Sequence, residues 1–320
     1  MSVKHPIVAV TGSSGAGTTS VREAFQEIFL REGMKAVFVE GNGFRRYDRA
    51  EMACWVEQNA KVGRIMSRFG PEASLLDRLE GLFMEYSRTG TGLIRHYVES
   101  PAMAERHRQP EGTFTPWEEI LPGTDLLFYE GMHGGYTSDL WTHRTMGPPH
   151  NPFVIKLRQH VQKERNDYGV DIARWVDLLI GVVPAINLEW IQKIHRDVSL
   201  TGASAEAATD AILRRLPDYV RYISPQFSFT DINFQRIPLV DTSNPFTARD
   251  VPTADESALV IRFREPRRFD FPDLRRRLDG SFMSRANTLV LPNGSIRHAL
   301  EVICAPLVHG LVERRREVRD

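Results

Sequence analysis

The residues best suited to chemistry begin at Gly12-Ser13-Ser14-Gly15-Ala16-Gly17-Thr18-Thr19, directly after the apolar run Ile7-Val8-Ala9-Val10-Thr11. Their spacing fits a phosphate loop, G-x-x-x-x-G-K-[ST], in which glycines let backbone N–H groups close around a polyphosphate. A helix starting near Ser20 would offer its positive N-terminus to the same anion. Thr18 stands where the motif carries lysine, so the stretch alone reads either as a nucleotide cradle or as a tight strand-to-helix turn. Two further groups extend the first reading. Glu130 ends the apolar strand Leu126-Leu127-Phe128-Tyr129, at the sheet edge where open α/β folds bind ligands, and is a candidate Mg²⁺-side carboxylate. Lys193, Arg196 and Asp197 fall three and four apart on the helical stretch 187–197, which converges two cations and a carboxylate on one face. Salt-bridged surface helices use the same spacing.

The elements that must position these groups alternate in kind. β-branched runs at 7–11, 36–40, 126–129 and 178–183 are separated by helical stretches, the pattern of a mostly parallel sheet with helices on both faces. Later runs at 235–241, 259–264 and 288–291 are joined by turns and one short helix, which predicts antiparallel additions at an edge. A last helix is expected over 295–317. No internal repeat or low-complexity linker divides the chain, so residues 1–320 read as one α/β domain. Residues 137–169 depart from the rhythm: Gly147-Pro148-Pro149-His150-Asn151-Pro152 breaks the chain before a charged stretch, 156–165. This reads as an inserted loop or lid, whose Lys156, Arg158, Lys163 and Arg165 either close over a phosphate or form a solvated helix face.

Bulk composition narrows the partners. Lys+Arg and Asp+Glu both total 41, so no field of one sign exists to hold nucleic acid or an anionic membrane. The basic runs 275–277 and 314–316 read as solvated helix faces. Cys54 and Cys304 are far apart and lack metal-ligand spacing; they read as plain packing residues of a reducing compartment. No apolar run approaches the roughly 18 residues of a membrane span, and a cytoplasmic location is expected.

At this point the residues resemble the phosphoribulokinases, the short bacterial type in particular, whose phosphate loop also carries threonine in place of lysine. The likeness runs through the phosphate loop, Glu40-Gly41 with Arg49, Tyr129-Glu130-Gly131, Gly181-Val182-Val183-Pro184, 187–197, Leu213-Arg214-Arg215, 230–236 and Thr242-Ser243-Asn244-Pro245-Phe246. The resemblance implies a P-loop kinase fold that transfers the γ-phosphoryl group of ATP to the 1-hydroxyl of ribulose 5-phosphate, giving ribulose 1,5-bisphosphate in the Calvin cycle, with a related phosphorylated sugar or polyol as the close variant of the acceptor. It implies nucleotide over Gly12 to Thr19, Mg²⁺ between Thr19 and Glu130, and catalysis by Lys193, Arg196 and Asp197. It further implies a homo-oligomer activated by NADH and inhibited by AMP, with Arg31, Arg262 and Arg285 at the effector site.

The acceptor side departs from that pattern. Asn42 occupies the position of the family's aspartate base, and an amide takes no proton at neutral pH. Arg45 and Glu99 each replace a histidine, and Thr201 replaces an arginine that contacts the sugar phosphate, while Arg49 and Tyr97 stay as substrate-binding candidates. These changes gather at one subsite and coincide with the insertion at 137–169. We expect a rebuilt acceptor pocket in which Arg45 offsets the cation absent at Thr201, Glu99 supplies the carboxylate absent at Asn42, and Glu99 or Asp197 accepts the hydroxyl proton. Glu40, at a strand end two residues before Asn42, is expected on the same face in a supporting role. The alternative is a catalytically impaired relative that binds nucleotide or metabolite as a regulator.

Overall fold

The computed structural model describes residues 4–12, 18–64, 66–138, 169–202, 204–248 and 250–319. Its first half runs β1 (Ile7–Gly12), α1 (Thr18–Arg31), β2 (Ala36–Glu40), α2 (Arg49–Lys61), α3 (Leu76–Thr89), β3 (Leu93–Ile94), α4 (Pro101–His107), β4 (Glu118–Glu119) and β5 (Leu126–Gly131). The second half runs β6 (Leu178–Pro184), α5 (Ile186–Thr201), α6 (Ala205–Asp218), β7 (Ile232–Pro238), β8 (Ser257–Phe263), α7 (Phe271–Arg277), β9 (Phe282–Arg285), β10 (Thr288–Leu291) and α8 (Ile296–Arg319). Eight strands form one sheet in the order β2-β5-β1-β6-β7-β8-β10-β9, and β3 pairs with β4 apart from it. The pairs from β2 to β7 are parallel and those from β7 to β9 antiparallel.

Period-two alternation explains how both faces are covered. Val8 and Val10 of β1, with Leu126 and Phe128 of β5, pack against α1 and α8 on one face. Ile7 and Ala9, with Leu127 and Tyr129, pack against α3 on the other. Helix α1 supplies Val21, Ala24, Phe25 and Ile28 to the first core, the spacing of a single helical stripe. Because the strands are parallel, the residues after β1, β2 and β5 emerge together at one edge.

Several expectations need correction. The run expected at 235–241 as an antiparallel addition is β7, which begins earlier and lies parallel to β6. The crossover through α5 and α6 returns the chain in the same direction; the antiparallel region starts at β8. Strand β9 carried no signal, being largely exposed. Cys304 is buried but Cys54 is exposed, because Met52 is the one buried residue of α2. The 314–316 run is not a wholly solvated face: Arg315 is 2 % exposed. The expected insertion falls almost wholly on 139–168, outside the described residues, as does the charged stretch 156–165. Its two flanks meet: Thr137 bridges Asp171, and Ser138 N–H donates to the Val170 carbonyl at 2.9 Å.

Candidate active site

The donor end is built at the C-terminal edge of β1, β2 and β5. Gly12 closes β1 where a Cβ would lie 2.5 Å from the Val182 carbonyl oxygen, so only glycine lets the chain leave the sheet there. Ser13, Ser14, Gly15, Ala16 and Gly17 lie outside the described residues, and the chain resumes at Thr18 and Thr19 as the start of α1. The first turn of that helix carries no acidic residue, so nothing opposes an anion at its N-terminus. Buried Gln226 fixes the surrounding turns. Its Oε1 accepts from Thr11 Oγ1 at 3.2 Å and Gly135 N at 3.0 Å, and its Nε2 donates to the carbonyls of Met132 and Tyr222. Glu130 sits in register with Val10 on one side and Glu40 on the other. Arg22 of α1 is ion-paired with Glu40. The expected shared face of Glu40 and Asn42 does not form, because β2 ends at Glu40 and a 3-10 turn, Gly41–Phe44, follows.

Helix α5 brings its charges together as the spacing predicts. Lys193 Nζ donates to Asp197 Oδ2 at 2.5 Å, and Arg196 Nε lies 3.8 Å from Asp197 Oδ1. Burial pushes the Lys193 ammonium below its ordinary pKa, with Asp197 opposing that shift. Arg215 of α6 adds a further guanidinium within electrostatic reach of both.

Three of the acceptor departures, Asn42, Arg45 and Glu99, are neighbours. Asn42 Nδ2 donates to Glu99 Oε2 at 3.1 Å across 57 residues of sequence. The Arg45 guanidinium lies 4.5 Å from the centre of the buried Tyr97 ring. Burial, followed by the charge of Arg68, pushes Arg45 down to about 10, while Tyr97 and Glu99 act to raise it; it is a cation at neutral pH. Arg49 donates to Glu111 at 3.0 Å, and its pKa is raised by Glu111 first and Tyr97 second. Arg95, which carried no functional expectation, holds this turn: it donates to the Gly43 and Arg45 carbonyls at 2.7 and 2.6 Å while stacking 3.7 Å from the Phe114 ring centre. A Cβ on Gly43 would sit 2.1 Å from the Arg95 carbonyl oxygen, which explains glycine at that crossing. Thr201 closes α5.

The three arginines matched to an effector site stand apart from one another in the chain. Arg31 ion-pairs with Glu301 of α8. Arg262 donates to the Phe227 carbonyl at 2.7 Å. Arg285 lies on exposed β9, in register with Thr288, which in turn faces Arg262. Sequence reasoning passed over Arg95 and Gln226; a lone arginine or glutamine has no local pattern to mark it.

A family model described as "Phosphoribulokinase / Uridine kinase family" matches residues 7–147 and 161–243. The chain is 50 % identical over 317 residues to the chromosomal phosphoribulokinase of Cupriavidus necator, covering 99 % of each. It is 48 % identical over 314 residues to the phosphoribulokinase of Nitrobacter vulgaris, covering 98 % of each. Among solved structures, a phosphoribulokinase from Rhodobacter spheroides superposes with a TM-score of 0.82 at 45 % identity, over 98 % of this chain and 100 % of that one.

Proposed function

This chain belongs to the phosphoribulokinase / uridine kinase family, and we propose that it phosphorylates the 1-hydroxyl of ribulose 5-phosphate using a rearranged proton acceptor. It is a phosphotransferase with an alcohol acceptor and the P-loop kinase fold. Two features fit Mg·ATP: the Gly12 position, where a side chain has no room, and the α1 N-terminus free of acidic residues. Mg·ATP, when bound, supplies the transferable phosphoryl group and a metal that neutralises its charge. Residues Gly12 to Thr19 would hold the phosphates through backbone N–H groups, with the Thr19 hydroxyl and Glu130 on the metal.

Lys193 and Arg196 act on the charge that spreads over the transferring group, and Asp197 orients Lys193. Arg45, Arg49 and Tyr97 bind the sugar phosphate, Arg45 offsetting the cation absent at Thr201. Glu99 accepts the hydroxyl proton as the oxygen attacks, and Asn42 fixes the orientation of that carboxylate. The 3.1 Å contact between Asn42 and Glu99 carries this assignment, since the carboxylate needed for general-base work lies one hydrogen bond from where the family keeps it. The same proposal includes NADH activation and AMP inhibition through Arg31, Arg262 and Arg285 in a homo-oligomer.

A coupled ADP-release assay with ribulose 5-phosphate tests it. Glu99→Gln is expected to lower kcat by about 10² to 10⁴. Adding Asn42→Asp to that variant should restore a large part of the loss. Turnover within a few-fold of the parent in Glu99→Gln would refute the base assignment.

A further inference from the structure

Lys193 has a carboxylate one helical turn away on either side. Glu189, Lys193 and Asp197 follow one another at four-residue intervals along α5, so they share a face and either acid can reach the ammonium. Helix geometry by itself favours the first choice, because a glutamate four residues before a lysine pairs better than an acid four residues after it. The fold makes the second: Lys193 Nζ donates to Asp197 Oδ2 at 2.5 Å, with Arg196 Nε beside the same carboxylate. A group outside α5 therefore sets the partner of Lys193.

That group comes from α6. The two helices pack through Trp190 and Ile194 on one side and Ala208 and Ile212 on the other, and the same face of α6, continued through Arg215, reaches Tyr219. Tyr219 stands where the helix runs out, opening a π-helical turn, Tyr219–Ile223, two residues after Pro217. From there its hydroxyl donates to Glu189 Oε2 at 3.1 Å, across 30 residues of sequence. The tyrosine is held from behind. Its ring meets Phe69 edge-on with centroids 5.5 Å apart, Ser67 Oγ donates to the neighbouring Asp218 Oδ2 at 2.7 Å, and buried His133 donates to the Phe69 carbonyl at 3.1 Å. Burial, followed by the charge of Glu189, raises the phenol above its ordinary pKa, so it stays a donor throughout the neutral range. Glu189, Lys193 and Tyr219 line one cavity of about 40 Å³, which gives the carboxylate space to turn toward the ammonium once the hydroxyl is gone.

We propose that Tyr219 is a positioning residue for phosphoryl transfer: by holding Glu189 it leaves the Lys193 ammonium to Asp197 and Arg196, and keeps α5 from closing on the ion pair that its own sequence prefers. Without the hydroxyl, Glu189 takes a share of Lys193, the ammonium moves back toward the start of α5, and the cation is withdrawn from the charge that spreads over the transferring group. The inference rests on the role given to Lys193 under the kinase reading, and not on which residue takes the proton.

Two readouts on the full chain test it, and the first needs no turnover. The chain has six lysines, Lys4, Lys35, Lys61, Lys156, Lys163 and Lys193, few enough for ¹³C-lysine NMR to follow each ε-carbon through a pH titration, with Lys193→Arg assigning the signal. Asp197, Arg215 and Arg196 are the charges that already act on Lys193. A second carboxylate brought to it is expected to raise its titration midpoint by about one pH unit in Tyr219→Phe, which keeps the ring against Phe69. Adding Glu189→Gln to that variant should return the midpoint to the parent's. The second readout is the coupled ADP-release assay. Tyr219→Phe is expected to lower kcat about ten- to a hundred-fold, with the KM for ribulose 5-phosphate and for Mg·ATP each within about two-fold of the parent, and the double variant should recover most of the loss. A tyrosine that served packing alone would not be rescued by removing a charge from its partner. An unchanged midpoint in Tyr219→Phe overturns the proposal, as does a rise that persists in the double variant or a shifted midpoint with kcat intact. If the parent releases no ADP with ribulose 5-phosphate, the kinase reading fails on its own, and the midpoint still decides whether Tyr219 sets the partner of Lys193.

Discussion

At the scale of single residues, the site depends on side chains whose environments contradict their usual preferences. His133 is 5 % exposed and follows Glu130 by three positions, where it donates to the Phe69 carbonyl. Burial pushes its pKa down to about 4, against an ordinary value near 6.5. The folded state therefore holds a neutral imidazole where the unfolded chain is protonated below pH 6.5. The sign follows from linkage: the unfolded state binds the extra proton, so stability falls as pH drops from 6.5 toward 4. By pH 5 this one group should account for about 2 kcal/mol of lost stability. Urea unfolding at pH 7 and pH 5 checks it, comparing the parent with His133→Gln. The parent is expected to lose more stability between the two pH values than the variant does; equal losses would show that the imidazole is not kept neutral by the fold.

At the scale of elements, the 3-10 turn after β2 carries the residues proposed for the acceptor side, and Arg95 is what holds it. One guanidinium donates to two carbonyls of the turn and stacks on Phe114 and, at 4.7 Å, on Trp117. Lysine has neither the planar fork nor the stacking face. Arg95→Lys is expected to raise the KM for ribulose 5-phosphate about ten-fold, as the freed carbonyls let Asn42 and Arg45 drift, while the Kd for Mg·ATP stays unchanged. Steady-state kinetics beside nucleotide calorimetry check this split; a matching loss on the nucleotide side would reject it. This element was only half legible beforehand. Strands β1, β2, β5 and β6 and helix α5 could be read because burial on one or both faces prints a period into the sequence. The direction of β7 could not, since it is set by the crossover through α5 and α6 rather than by anything within 232–238. Asn42 and Glu99 could be picked out as paired departures from a family pattern, but their contact across 57 positions is a property of the folded chain. Arg95 had no such reference, and a single arginine is silent until its neighbours are known.

At the scale of the whole molecule, parallel strands give the sheet two ends with different duties. The C-terminal ends of β1, β2 and β5 carry the glycine turn, Glu130 and the 3-10 turn after β2, the groups proposed above to meet the ligands. The N-terminal ends are closed by one buried cation from the far end of the sequence. Arg315 in the last turns of α8 ion-pairs with Asp125 just before β5, and also donates to the Thr124 carbonyl at 2.6 Å and the Lys4 carbonyl at 3.0 Å. It thereby ties the chain start, the approach to β5 and the final helix into one joint. Removing one member of a buried pair strands the other, at a cost of about 3–5 kcal/mol, whereas removing both charges costs less. Arg315→Met is therefore expected to destabilise the protein by about that amount in urea unfolding, and Arg315→Met with Asp125→Leu by less. Both should keep kcat within about two-fold below their melting range, because the joint lies a full strand length from the phosphate site. A large kcat loss in the folded single variant would show that the two ends of the sheet are coupled, and that the helix closing one end also sets the geometry of the other.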